Sequence, residues 1–272
     1  MSEPVERIFA WEPLTPRGVA AFAHAKFSRL LFVQLIFALL AAAVVVWFLY
    51  DGCFPIMQTA IHNLPDDGKI SSGKLDWRGD SPQLLAEGRF LAFDVDLNHS
   101  AQIRSTVADF QIEFGKETIR VFSLLGYADF QYPENSLSFN RPELEAFFGA
   151  WQAEILIAAA TAVIIGLFFS WAALATIYFL PVWIWGFFIN RNLNPIASWK
   201  LSGAALMPGA LLLTTAIFAY TYGFIGLIPL AFVFGAHLIL SWIYLPLSCA
   251  FAPQISELKQ KRNPFGQPKK RA

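Results

Sequence analysis

Between Ile155 and Ala252 the chain carries two charged side chains, Arg191 and Lys200, and one histidine, His237. A water-soluble fold of that length needs charge on its surface, so a stretch this apolar reads as lipid-embedded helix. Only helices and closed barrels satisfy their backbone groups in lipid, and the uninterrupted apolar runs favour helices. The 27 Phe and 9 Trp among 56% hydrophobic residues fit a membrane protein better than one or two soluble domains.

The charges are sorted along the chain. Residues 51–154 hold 8 of the 20 basic and 16 of the 20 acidic side chains, a net −8, which leaves 12 and 4, a net +8, for everything else. Arg17, Lys26, Arg29, Arg191, Lys200, Lys259, Lys261 and Arg262 flank one set of span ends. The opposite set has only Arg141 close by. The positive-inside rule then puts both termini in the cytoplasm and 51–154 outside it, in a multi-pass protein of the inner (plasma) membrane.

Residues 1–29 are too long and mixed for the leading region of a cleaved signal peptide and read as a cytoplasmic interfacial segment. Thr15-Pro16 is a helix start, a capping hydroxyl followed by proline at the first helical position. The first span is expected at 30–50, uncharged, with Trp47 and Tyr50 in an outer aromatic belt. The second is expected at 155–179, with Pro181 breaking the helix and 180–200 forming an interfacial segment and inner loop. The third is expected at 201–220, kinked near Pro208-Gly209, and the fourth at 224–250. Residues 253–272 form a basic tail suited to anionic lipid.

The inserted 51–154 changes periodicity. Met57, Ala60, Ile61 and Leu64 recur at helical spacing until Pro65. Strand alternation follows at Phe90–Leu97, Val107–Phe114 and Thr118–Leu124, with a hairpin about Gly115 and a fourth strand near Tyr127–Tyr132. The expected fold is therefore four transmembrane helices with a small α+β extracytoplasmic domain, built on an antiparallel sheet, between helices 1 and 2. Asn140 with Glu143 resembles a capping box that opens the helix leading into the second span. Cys53 and Cys249 fall at opposite ends of the span set, too far apart for a disulfide.

No hydrolase, zincin, phosphate-loop or dinucleotide motif is present, and the four histidines lack metal-ligand spacing. Two groups nevertheless carry chemistry. On the fourth span His237, Ser241, Tyr244 and Ser248 form one narrow polar stripe. It reads either as a proton or substrate path, with Thr161, Thr176, Thr214 and Thr215 as partners, or as helix packing by side chains that bond backbone. In the insertion, Asp94 and Asp96 share one strand face near His99; they suit a ligand, a cation or acid–base work, or simply a solvated face. On the second span Ala158, Ala162, Gly166 and Ser170 form a small-residue stripe that would let another helix approach closely.

A helix ends in Leu64-Pro65, Asp67-Gly68-Lys69 leads into a strand, a central strand reads Phe93-Asp94-Val95-Asp96, and a hairpin turns about Gly115. With these motifs the order of parts resembles the bacterial family called domain of unknown function 1189. Some members of that family are associated with maltodextrin utilisation, and the family brings no established catalytic residues. The expectation is an integral membrane protein of accessory, scaffold or sensing type that binds a partner or ligand through its outer domain; the alternative is a transport component using the fourth-span stripe. The partners expected are the lipid bilayer and a protein or second copy, not nucleic acid, with no cofactor or metal.

Overall fold

Thr15 and Pro16 do start a helix: the Thr15 hydroxyl accepts the Gly18 amide at 3.0 Å, and proline occupies the first turn. The computed structural model describes residues 11–254. Most of the expected basic tail at 253–272 and the first ten residues of the expected interfacial segment lie outside them.

The helices are α1 (Pro16–Phe22), α2 (Phe27–Trp47), α3 (Phe54–His62), α4 (Arg141–Phe188), α5 (Pro195–Ala205), α6 (Met207–Thr221) and α7 (Leu227–Phe251), with a π-helical turn, Phe48–Cys53, joining α2 to α3. Between α3 and α4 lie eight strands: β1 (Gly68–Ser71), β2 (Lys74–Trp77), β3 (Gln83–Glu87), β4 (Leu91–Val95), β5 (Phe110–Phe114), β6 (Thr118–Ser123), β7 (Gly126–Gln131) and β8 (Leu137–Ser138). Among the described residues four helical stretches are long and apolar enough to cross a membrane: Phe27–His62, Arg141–Phe188, Pro195–Thr221 and Leu227–Phe251. The chain is thus a helical protein with four membrane-length apolar helices and a β-rich domain between the first and second. Its described residues divide into two compact units, 11–44 with 161–254, and 45–160.

In the helical unit a single core joins Val19 and Phe22 of α1, Leu30 and Val33 of α2, Trp171, Tyr178 and Val182 of α4, and Leu201, Met207, Leu245 and Cys249 of the later helices. Two span boundaries differ from expectation. The second apolar helix does not break at Pro181, which sits inside α4 with its ring exposed. Proline removes one backbone donor, and a helix continues past it when the freed carbonyl is tolerated locally. The first apolar helix also continues past Tyr50, the expected end of the first span. The π-helical turn carries the helix on to His62, with the Phe54 amide reaching back to the Leu49 carbonyl. That wide turn also accommodates Pro55, which has no amide to place in the ladder. Close to Pro208-Gly209, the site of the expected kink, α5 and α6 meet at Leu206. Cys53 and Cys249 are both free and buried.

The inserted unit holds two sheets, a small one ordered β2-β1-β8 and a larger one ordered β3-β4-β5-β6-β7. The larger is mixed rather than antiparallel, because β4 and β5 run parallel, in the register Leu91↔Phe110 to Val95↔Phe114. Parallel neighbours need a connection that travels back along the sheet, and residues 96–109 supply it without a helix. The expected hairpin about Gly115 joins β5 and β6. One face of the large sheet is apolar. Phe93 and Val95 pack with Ala60, Leu64, Ile70, Leu75, Trp77, Leu85 and Phe139 into the domain's own core. The α4 start is as expected, with Asn140 Oδ1 accepting the Glu143 amide at 3.1 Å.

Candidate functional site

Alternation along a strand sends every second side chain to the other face. Since β4 sends Phe93 and Val95 into the core, Ala92 and Asp94 point the opposite way. The register sets Gln111 and Glu113 of β5 beside them, Asp94↔Glu113 and Ala92↔Gln111, and next to those Arg120 and Phe122 of β6. This second face is polar yet not wet. Asp94 is 0% exposed, Asp96 and Glu113 1%, and Gln111 3%. The two aspartates therefore share a face as the sequence implied, but they are buried rather than solvated. The reason is the 96–109 crossover, which lies over them.

The crossover is fastened by these same side chains. Asp96 accepts from the Ser100 hydroxyl at 2.7 Å, the Ala101 amide at 3.1 Å and the Asn98 amide at 3.3 Å. Those bonds hold a turn in which His99 (φ 52°) and Ala101 (φ 57°) adopt the left-handed region. Gln111 donates to Asp94 Oδ1 at 2.8 Å and to the Ile103 carbonyl at 3.1 Å, and accepts the Ser105 amide at 3.0 Å. Arg104 lays its guanidinium over the Phe122 ring, 4.1 Å from its centroid. His99 Nδ1 meets Glu113 at 2.5 Å and Nε2 meets the Thr118 hydroxyl at 3.0 Å. The close fit depends on Gly115, where any Cβ would collide with the His99 ring.

Asp96 is fully accounted for as the anchor of the turn. Asp94 is not: its Oδ2 is buried with no hydrogen-bond partner. Burial pushes the Asp94 carboxyl up to about 7, with Glu113 and Asp96 adding to the rise while the Gln111 bond and His99 oppose it. Among the described residues no group of three or more His, Cys, Asp or Glu could hold a metal ion. What the arrangement can do is hold and release a proton near neutral pH. Sequence reasoning missed Gln111, Glu113 and Thr118, although the alternation Phe110-Gln111-Ile112-Glu113-Phe114 already showed a polar face. The domain also has an open cleft of about 450 Å³ between α3 and the start of α4, lined by Gln58, His62, Glu145, Phe148 and Gly149.

The α7 stripe has a different character. The Ser241 hydroxyl donates to the His237 carbonyl at 3.2 Å, Tyr244 donates to the Leu14 carbonyl at 2.7 Å, and His237 Nδ1 contacts the Phe234 carbonyl. Ser248 is buried, its hydroxyl without a partner. At His237 and Ser241 α6 closes on α7: a Cβ on Gly209 would clash with the His237 carbonyl oxygen and reach within 3.0 Å of the Ser241 hydroxyl. Thr176, Thr214 and Thr215 donate to the carbonyls of Ala172, Ala210 and Leu211, four residues back in their own helices. The geometry is that of helix packing.

The small-residue stripe of α4 does not pack against another helix among the described residues. Ala158, Ala162 and Gly166 are exposed, Ser170 is half-buried, and a Cβ on Gly166 would meet nothing within 4 Å. In the helical unit α4 packs through Trp171, Tyr178 and Val182, whose larger surfaces fill the core. Compared with known proteins, the chain matches no family model, and neither a curated protein nor a solved structure gives a significant match.

Proposed function

We propose that the chain is a multi-pass protein of the inner membrane, both termini cytoplasmic, that acts as an accessory or sensing protein and takes a protein partner on its extracytoplasmic inserted domain. The observation that carries this reading is an asymmetry between the two edges of the large sheet. The β3 edge is guarded: Pro82 precedes it, its register shifts between Leu84 and Ala86, and the Asn63 side chain donates to the Leu85 carbonyl at 2.7 Å. Natural sheets blunt their edges with such devices. The β7 edge has none of them. All six of its residues are exposed, and Tyr127 at 63%, Phe130 at 54% and the turn residue Leu125 at 96% present apolar surface beside it. An open edge flanked by aromatic side chains suits an extended polypeptide added as a further strand.

The sorted charges support the orientation, and the order of parts supports kinship with the domain of unknown function 1189 family. A transport role for the α7 stripe has less support, because Ser241 and Tyr244 commit their hydroxyls to packing contacts.

The test is photo-crosslinking in cells from a reactive amino acid placed at Leu125, compared with a Tyr127→Lys/Phe130→Lys variant. Lysines on an edge discourage strand addition. The expected result is one dominant protein adduct that the double variant loses while remaining folded in the membrane. An adduct pattern indifferent to both lysines would overturn the reading.

A further inference from the structure

We propose that Asp94 and Glu113, facing each other beneath the 96–109 crossover, form a proton-operated latch: one proton held at Asp94 keeps the crossover closed on the sheet, and its loss releases it. The inference rests on the proposed outward position of the inserted domain for its physiological meaning, since only there would it report the pH outside the cell.

The geometry makes Asp94 the proton's seat. The two carboxyls are register partners on adjacent parallel strands and both are buried. Two carboxylates side by side in a dry site do not both ionise readily. Glu113 has His99 against it, with the Thr118 hydroxyl on the far side of the same ring. Asp96 is saturated by its three donors. From β6 Arg120, the register partner of Glu113, is committed to Asp129 by two bonds, at 2.7 and 3.1 Å. From β3 the residue opposite Asp94 is Leu84, and Glu87, opposite Ala92, takes the Ser105 hydroxyl of the crossover at 2.5 Å. From the crossover itself Arg104 lies over the Phe122 ring. Asp94 alone has a bare oxygen, tolerable on a neutral carboxyl and unfavourable on an anion.

The mechanical link is equally local. Water can reach an ionised Asp94 Oδ2 only if the crossover lifts, and the crossover is fastened through the neighbours of this pair. Gln111 grips Asp94, Ile103 and Ser105 together, and His99 grips Glu113. Hydration of Asp94 therefore competes directly with closure. The only covalent change is at the Asp94 carboxyl O–H bond, broken as the proton leaves to solvent and re-formed when it returns.

The experiment uses the full chain in nanodiscs. Hydrogen exchange of the amides in 97–109 is followed from about pH 5.5 to about pH 8.5, as protection relative to the intrinsic rate at each pH. Protection of the crossover should fall about tenfold or more across this range, with a midpoint near 7, while β1 and β2 stay unchanged. Asp94→Asn, which keeps the shape and removes the ionisation, should stay closed throughout. Glu113→Gln, which removes the repelling neighbour, should move the midpoint to lower pH. A flat wild-type profile, or a profile in Asp94→Asn that still follows the wild type, would overturn the latch. The orientation is tested separately by labelling Leu125→Cys in intact cells with an impermeant thiol reagent, since the native Cys53 and Cys249 are buried. An unlabelled Leu125→Cys together with a normal exchange profile would sink the outward reading and leave the latch standing.

Discussion

The two compact units bury different kinds of polar group. Among the described residues of the helical unit, the fully buried polar side chains are uncharged: Gln34, Ser198, Ser202, Thr214, Ser241 and Ser248. In the inserted domain they include three carboxyls, Asp94, Asp96 and Glu113. The helical groups are small or bond a backbone carbonyl, as Gln34 does with Gly203 at 3.3 Å, and their role is to let helices close. The carboxyls sit under a crossover that brings amides, hydroxyls and an imidazole to them. A charge can be buried where irregular backbone supplies donors; a continuous helix has already spent its own.

If close approach is what the polar positions of α7 serve, the largest effect in the molecule should come from filling the gap they leave. Gly209→Val forces α6 away from the His237 carbonyl and should cost about 3 kcal/mol or more. Gly166→Val, in open space on α4, should change stability by under about 1 kcal/mol. Thermal unfolding of both variants in detergent is the check, and similar losses in the two would break the distinction between seam and outer face.

The next effect belongs to the carboxyls and has a sign. Unfolded, Asp94 titrates in the ordinary carboxylate range; folded, burial holds it near 7. A group raised in this way favours the fold fully below its unfolded value, and that support is lost as pH rises through the folded one. Asp94→Asn should therefore stabilise the protein by roughly 2–4 kcal/mol at pH 8 relative to the wild type, with the advantage shrinking to nothing near pH 4. Denaturant midpoints at the two pH values decide it. A constant difference would mean that Asp94 does not titrate in the fold.

Much of this contrast could be read in the sequence and some could not. The apolar stretch after Ile155, the Thr15 cap, the Asn140 cap and the alternation through Phe93-Asp94-Val95-Asp96 are local patterns, and local patterns fix helices and strands directly. The burial of Asp94 and Asp96 is not local. It depends on β5 lying parallel to β4, so that 96–109 must cross the polar face, and strand direction is not written in alternation. The small residues of α4 show only that a helix can approach there; within the helical unit α4 packs through Trp171 and Tyr178. Pro181 marks a lost donor but not whether the helix bends around it.

Asp96 sharpens the comparison at a smaller scale. Asp96→Ala leaves the Asn98 and Ala101 amides and the Ser100 hydroxyl without their acceptor, in a turn with two left-handed residues. A loss of about 1–3 kcal/mol should follow, with exchange of 97–109 raised at every pH and not only above neutrality. Loosening that appears only at high pH would transfer the anchoring role from Asp96 to the Asp94–Glu113 pair.

The smallest effect is expected at Ser248. Its hydroxyl is as buried as Asp94 and, like Asp94 Oδ2, has no partner. It carries no charge, and the helix around it has no loop to open. Removing an unpaired hydroxyl without enlarging the side chain removes a desolvation penalty and leaves only a small void, so Ser248→Ala should fall within about 0.5 kcal/mol of the wild type at any pH. Flat pH dependence here beside steep dependence at Asp94 is what separates a packing hydroxyl from a titrating carboxyl. A loss of several kcal/mol in Ser248→Ala would instead mean that the hydroxyl binds something in the membrane, and the α7 stripe would regain its claim as a path.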